Sequence, residues 1–205
     1  MPTPIRFALA GVRRAGPYTE ALRQYPDALL VALCDSNEEA LAEAGNQLPD
    51  PQRFTVYETM LEQARPDAVI IATPMQFHAD QSIAALQRDI HVLCEVTAAV
   101  SLDEARWLVQ ACRRSKACYM LAENCNYFKT TMLISAMVDA GLFGEVYYAE
   151  GDYLHNVRHL HHTAAGALEG ALCTLQGIID GERVGAFGEH IQPVADQLAA
   201  CRLAR

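Results

Sequence analysis

Two glycines and an aspartate are spaced as a nucleotide-binding loop requires. The segment GVRRAG, residues 11–16, follows a short apolar run and precedes an amphipathic one. Glycine at its first position permits a tight turn, and glycine at its last position lets helix and strand pack closely. Asp35 ends the next apolar run, where a carboxylate accepts hydrogen bonds from a ribose 2′-hydroxyl. The pattern indicates dinucleotide binding, and NAD is favoured over NADP because this carboxylate would repel a 2′-phosphate.

Arg13 stands where such a loop usually has a glycine that lets the backbone approach the pyrophosphate. Its side chain must therefore point away from the ligand or shift it, unless Arg13 or Arg14 pairs with a phosphate oxygen. Asp35 also has a second interpretation, as a cap of the helix that starts near Asn37. We predict that the nucleotide is contacted by Gly11, Arg13, Gly16 and Asp35.

These residues need a sheet that brings them to one edge. Apolar runs alternate with amphipathic segments as far as residue 124, and the runs lie at 5–10, 28–35, 67–74, 90–95 and 117–123. Continuously apolar strands are typical of a parallel sheet covered by helices on both faces. The predicted fold class is α/β, with a Rossmann-type doubly wound parallel sheet over residues 1–124.

A different pattern begins after residue 124. Residues 130–144 read as a helix with a glycine stop, and residues 145–155 alternate like an antiparallel strand. From about Thr163 no clear strand pattern follows, and Phe187 is the one aromatic residue in the last 42. Residues 125–205 are therefore predicted to form an incomplete α+β domain for substrate binding or oligomerisation.

Composition and charge exclude several classes of protein. The net charge of −9 argues against nucleic acid and anionic membranes as partners. The N-terminus lacks the pattern of a signal peptide, and no apolar run is long enough to span a membrane. The seven cysteines form no C-x-x-C pair, which favours reduced, buried thiols and a cytoplasmic location.

One histidine-rich segment invites a metal interpretation. HNVRHLHH, residues 155–162, places His155 and His159 four residues apart. Zinc takes three or four ligands in fixed geometry, and no acid or cysteine lies at a supporting spacing. A polar loop facing the substrate, or an exposed turn, is favoured, and no metal site is predicted.

Further motifs resemble those of the Gfo/Idh/MocA family of NAD(P)-dependent sugar oxidoreductases. The T-P-x-x-x-H pattern stands at 73–78, H-V-L-C-E at 91–95, and A-E-N at 122–124. With the glycine loop and the helix ending G-L-F-G-E at 141–145, the likeness extends from residue 5 to about 162.

The resemblance implies which residues flank the cofactor. Beyond the glycine loop and Asp35, it assigns cofactor contacts to Thr73, Pro74, His78, Glu95 and Asn124. From the residues themselves, His78 could instead cap backbone groups at a helix start, and Glu95 could be a solvated strand end. The implied function is hydride transfer between NAD and a small sugar-like or polyol-like substrate, in a possible homo-oligomer.

The chain departs from the family where the motif E-K-P is expected. Val96 and Thr97 replace the lysine that lies near the substrate hydroxyl and the proline that shapes the loop. A branch of the family reads E-V-P-A, so the valine has a precedent and the threonine does not. Valine carries no proton, so another group must do so: the candidates are Tyr127, His155, Arg158 and His190.

Three functions remain open on this basis. They are a working dehydrogenase, an NAD-binding remnant or binding module without turnover, and NAD-dependent glycoside cleavage by transient oxidation, which also occurs in the family. The short region after Asn124 suggests a truncated, deleted or frame-disrupted version of a longer dehydrogenase.

Overall fold

A computed structural model describes residues 3–48 and 50–150. The strands are β1 (Ile5–Ala10), β2 (Ala28–Cys34), β3 (Gln52–Phe54), β4 (Ala68–Ile71), β5 (His91–Cys94) and β6 (Tyr119–Leu121). The helices are α1 (Ala15–Arg23), α2 (Glu38–Gln47), α3 (Tyr57–Ala64), α4 (His78–Leu86), α5 (Leu102–Arg114) and α6 (Lys129–Asp139). Short 3-10 turns at Val12–Arg14, Met75–Phe77 and Asn124–Tyr127 precede α1, α4 and α6.

The six strands form one parallel sheet in the order β3-β2-β1-β4-β5-β6. The chain builds outward from β1 to β3 and then returns to add β4 on the other side of β1. This reversal leaves a crevice at the carboxyl ends of β1 and β4, where open α/β sheets bind ligands. The predicted α/β fold with a doubly wound parallel sheet is confirmed.

Side chains that alternate along each strand build two apolar layers. Leu9, Leu33 and Ile70 pack on one face with residues of α1 and α2. The opposite layer joins strand residues such as Val69 and Ile71 to α3, α4 and α5. Burial of both faces of the central strands explains why their sequences are apolar at nearly every position.

A capping box starts α5, and a glycine closes α6 at Asp139, earlier than the predicted end at residue 144. The Ser101 hydroxyl accepts a hydrogen bond from the Glu104 N–H at 3.2 Å, and the Glu104 carboxylate accepts one from the Val100 N–H at 2.8 Å. These are the two bonds of a capping box, except that Glu104 bonds the N–H of Val100 and not that of the N-cap residue Ser101. Gly141 adopts a left-handed φ of 72° after α6 and donates to the Val138 carbonyl at 2.9 Å, which closes the helix.

The strands differ from the predicted ones in two places. β3 was not expected, and residues 145–150, the described part of the predicted strand 145–155, form no strand. A strand needs a neighbour for its backbone hydrogen bonds, and residues 145–150 pair with none of the six strands that the described residues form. Residues 151–155 and the rest of the predicted second domain lie outside the described residues.

Candidate functional site

The glycine loop packs directly against the end of β4. Gly11 has φ 92°, and its N–H donates to the Cys34 carbonyl at 2.9 Å. A Cβ at this position would overlap the Ala72 carbonyl group and the Thr73 nitrogen. Both the φ angle and this close approach require glycine, so the loop lies at the β1–β4 crevice.

Gly16 has different surroundings from those predicted. A Cβ there would meet nothing within 4 Å, so close packing of helix against strand does not require this glycine, and that prediction is wrong. Gly16 and the exposed Arg13 line a cleft of about 780 Å³ between α1 and α2. No side chain in the described part of the chain caps α1, so the N–H groups of Ala15 and Gly16 have no side-chain acceptor at this helix start, and Pro17 has no N–H.

Asp35 ties the glycine loop to the start of α2. Its carboxylate accepts hydrogen bonds from the Val12 N–H at 3.0 Å and the Asn37 N–H at 2.9 Å. Asn37 itself caps α2, because its side chain accepts from the Ala40 N–H at 2.9 Å. A carboxylate has about four acceptor positions, so Asp35 keeps capacity for a ligand hydroxyl.

Glu95 is held by two side chains from beyond the neighbouring strand. Arg14 forms an ion pair with its carboxylate at 2.8 Å, and the Tyr18 hydroxyl donates to it at 2.9 Å. The Glu95 side chain is 15% exposed, so it is not a solvated strand end. Burial, and then the hydrogen bond to Glu95, raise the pKa of Tyr18 above its usual value, so Tyr18 stays a hydroxyl donor.

His78 joins the loops that leave β4 and β5. It is 1% exposed, and its Nδ1 and Nε2 lie 2.7 Å from the carbonyl oxygens of Thr97 and Thr73, respectively. The Thr73 hydroxyl also donates to the Gln81 side chain at 2.6 Å. His78 starts α4 and bonds backbone groups, as the alternative interpretation of this residue expects, and the bonded carbonyls belong to the loops after β4 and β5.

The remaining predicted positions divide between the same edge and the undescribed region. Pro74 and Asn124 are exposed after β4 and β6, and Tyr127 is 58% exposed. Since carboxyl ends of parallel strands share one edge, Pro74 and Asn124, which closely follow β4 and β6, lie on the same side of the sheet as Glu95, and Tyr127 ends the 3-10 turn that follows Asn124. His155, Arg158, His190 and the 155–162 segment lie outside the described residues.

The buried cysteines near this edge are unsuited to nucleophilic chemistry. Burial raises the pKa of Cys34 to about 12 and that of Cys94 to about 11, so both remain thiols at neutral pH. Cys112, Cys118 and Cys125 are the other cysteines of the described region, and no disulfide joins any of the five. Cys173 and Cys201 lie outside the described residues.

Three contacts of the site were not expected from sequence. Tyr18 and Gln81 received no role, and Arg14 was considered for a phosphate rather than for Glu95. The cause is that β1 and β5 are separated by β4 in the sheet, so only the strand order brings α1 to Glu95. The one sequence feature that could have indicated these contacts is Tyr18, a residue with a polar hydroxyl on the inward side of α1.

Two negative observations apply to the described part of the chain. No group of three His, Cys, Asp or Glu side chains there could hold a metal ion. Likewise, no helix within those residues has the length and apolar character needed to cross a membrane.

Comparison with known proteins agrees with this geometry. A protein from Stenotrophomonas maltophilia named glycosyl hydrolase family 109 protein is 35% identical over 167 residues, which cover 75% of this chain and 37% of that protein. The chain thus spans about a third of the length of the curated relatives it matches.

Two solved structures share the fold over a similar part of this chain. The WlbA dehydrogenase from Bordetella pertussis, in complex with NADH and UDP-GlcNAcA, matches 70% of this chain and 44% of its own with 31% identity and a TM-score of 0.66. The WlbA dehydrogenase from Chromobacterium violaceum, with the same two ligands, matches 72% and 43% with 28% identity and a TM-score of 0.67.

The family model for the Gfo/Idh/MocA oxidoreductases, described as an oxidoreductase family with an NAD-binding Rossmann fold, matches residues 5–123. This match spans more than half of the chain and contains the glycine loop, Asp35, His78 and Glu95. NAD is accordingly the favoured cofactor. The chain belongs to the Gfo/Idh/MocA family of NAD-binding oxidoreductases.

Proposed function

We propose that the chain is an NAD-dependent oxidoreductase that transfers a hydride between the nicotinamide and a sugar-like or polyol-like substrate. The observation that carries this proposal is the close approach of Gly11 to the Ala72–Thr73 peptide, which joins the β1 and β4 loops at the crevice. Family membership and the two WlbA structures support the same function.

The residues present fit a dinucleotide. The uncapped N-terminus of α1, beside the open space at Gly16, would take the pyrophosphate. Asp35 would accept a ribose hydroxyl with its remaining acceptor capacity and disfavour a 2′-phosphate. Thr73, Pro74, Glu95 and Asn124 would surround the nicotinamide half, and Arg13, which lines the same cleft as Gly16, would lie on the pyrophosphate side.

The proton must be moved by a group other than residue 96. When bound, the nicotinamide accepts or supplies the hydride, and the substrate hydroxyl exchanges a proton in the same reaction. Val96 is 41% exposed at the end of β5 and has no proton to exchange. We assign this role to Tyr127, His155 or His190, of which Tyr127 lies in the 3-10 turn after β6 and has an exposed side chain.

A measurement of turnover distinguishes this proposal from an NAD-binding remnant without activity. The lack of a proton-carrying side chain at Val96 favours the remnant. The full chain is incubated with NAD and a panel of sugars, inositols and nucleotide sugars, and NADH is followed by absorbance at 340 nm. We expect one substrate class to give NADH, and a Tyr127→Phe variant to lower kcat by about 10²–10⁴ if Tyr127 carries the proton. Saturable NADH binding with no turnover on any compound would favour the remnant.

The name of the Stenotrophomonas relative favours a second candidate, NAD-dependent glycoside cleavage. That reaction returns the cofactor to its starting state, so it leaves no net NADH. Nitrophenyl glycosides distinguish the two reactions: release of nitrophenol that requires NAD but accumulates no NADH would identify cleavage, whereas accumulation of NADH would identify a dehydrogenase.

A further inference from the structure

We propose that His78 is a positioning residue that fixes the separation of the two loops on the nicotinamide side of the site. The inference rests on the proposed cofactor site and deepens it, because it assigns His78 an indirect role through backbone carbonyl groups. The ring is 1% exposed, so it is shielded from a ligand in the crevice.

The contacts of His78 fix both loops at once. Thr73 follows β4 and Thr97 follows β5, and the two strands pair in register from Ala68↔His91 to Ile71↔Cys94. The ring reaches the carbonyl oxygens of both threonines at 2.7 Å. A carbonyl oxygen only accepts hydrogen bonds, so the neutral ring supplies one bond and the imidazolium supplies both.

The two loops that His78 contacts also touch the glycine loop and α1. Gly11 packs against the Ala72–Thr73 peptide, one peptide before the Thr73 carbonyl that His78 contacts. At the other end, Glu95 precedes Thr97 by two residues and bonds Arg14 and Tyr18. Contacts thus join the loops of β1, β4 and β5 in a closed ring, in which His78 links the loops after β4 and β5 beyond the last paired residues of the two strands.

The bonded group at position 97 is a backbone carbonyl, which every residue type has. The change from proline to threonine at this position therefore leaves the link to His78 intact. Loss of the ring would remove its hydrogen bonding to these carbonyl groups, and with it the contact between the loop that carries Val96 and the start of α4.

The test compares His78→Phe with a matched control, His91→Phe. His91 also bonds the backbone, since its Nδ1 accepts from the Cys118 N–H at 2.9 Å, but it lies at the amino end of β5. Calorimetric titration of the full chain measures affinity for NADH and for ADP-ribose, which lacks the nicotinamide. Hydrogen exchange of residues 95–100 measures loop order without any ligand.

We expect His78→Phe to weaken NADH by about tenfold, to change ADP-ribose affinity less than about threefold, and to speed exchange at 95–100. His78→Gln, which keeps an N–H donor on a flexible side chain but loses the rigid ring, should fall between the wild type and His78→Phe. His91→Phe should leave both affinities and the exchange of 95–100 unchanged.

Different results contradict different claims. Equal weakening of NADH and ADP-ribose by His78→Phe, or unchanged exchange at 95–100, would overturn the positioning role even if the wild type binds NADH. A wild type that binds neither ligand, while His78→Phe still speeds exchange, would overturn the proposed function and its cofactor role for His78 but leave the loop contacts standing.

Discussion

Gly11 and Gly16 belong to one motif but meet different surroundings. Gly11 combines a left-handed φ of 92° with a backbone carbonyl in the space of a Cβ, whereas Gly16 faces nothing within 4 Å. A side chain at Gly11 would push the ends of β1 and β4 apart, because the atoms it meets are backbone atoms that cannot rotate away as a side chain can. At Gly16 the same change meets no obstacle.

We therefore expect Gly11→Ala to lower the free energy of unfolding by at least about 2 kcal/mol, from left-handed strain together with overlap. Gly16→Ala, the matched control inside α1, should cause no loss, since alanine favours a helix. Urea unfolding followed by circular dichroism measures both. Equal stability of the two variants would show that the β1–β4 contact is not as tight as described.

At this scale sequence identifies residue types better than their partners. Asp35 and Glu95 stand out as acids at strand ends, and both occur at the predicted edge. Their partners do not follow from local sequence: Val12 offers only its backbone N–H to Asp35, and Arg14 reaches Glu95 across β4. Such pairs depend on strand order, which the residue spacing does not encode.

Among the elements, the buried strands are the most predictable. β4 has the sequence AVII and is buried at every position, so its apolar composition alone predicts a central strand. β3 was missed because Gln52–Phe54 is a three-residue edge strand with no buried residue. It is held partly by the Arg53 side chain, which donates to the Gly45 carbonyl of α2 at 2.9 Å, a contact without a sequence signature.

The capping box of α5 gives a prediction at the scale of elements. Ser101→Ala removes the acceptor for the Glu104 N–H and should lower the free energy of unfolding by about 1 kcal/mol. Ser101→Asp keeps an acceptor and should stay within about 0.5 kcal/mol of the wild type. Urea unfolding again measures both, and an unaffected Ser101→Ala variant would contradict a stabilising cap.

At the scale of the whole molecule, α6 differs from the helices that cover the sheet in how much of its apolar surface is exposed. Its apolar side chains are exposed in the described structure, including Met132, Leu133 and Ile134 at 55%, 61% and 50%. An apolar patch of this kind is typical of a surface that contacts another element or molecule. Self-association of the chain remains a prediction, as does the division into domains at residue 124.

The central claim is that the β1, β4 and β5 loops form an NAD site, and titration of the full chain with NADH and NADPH tests it most directly. We predict saturable binding of NADH, followed by its fluorescence, and at least about tenfold weaker binding of NADPH because the Asp35 carboxylate repels a 2′-phosphate. No saturation at millimolar NADH, or tighter binding of NADPH, would contradict this account.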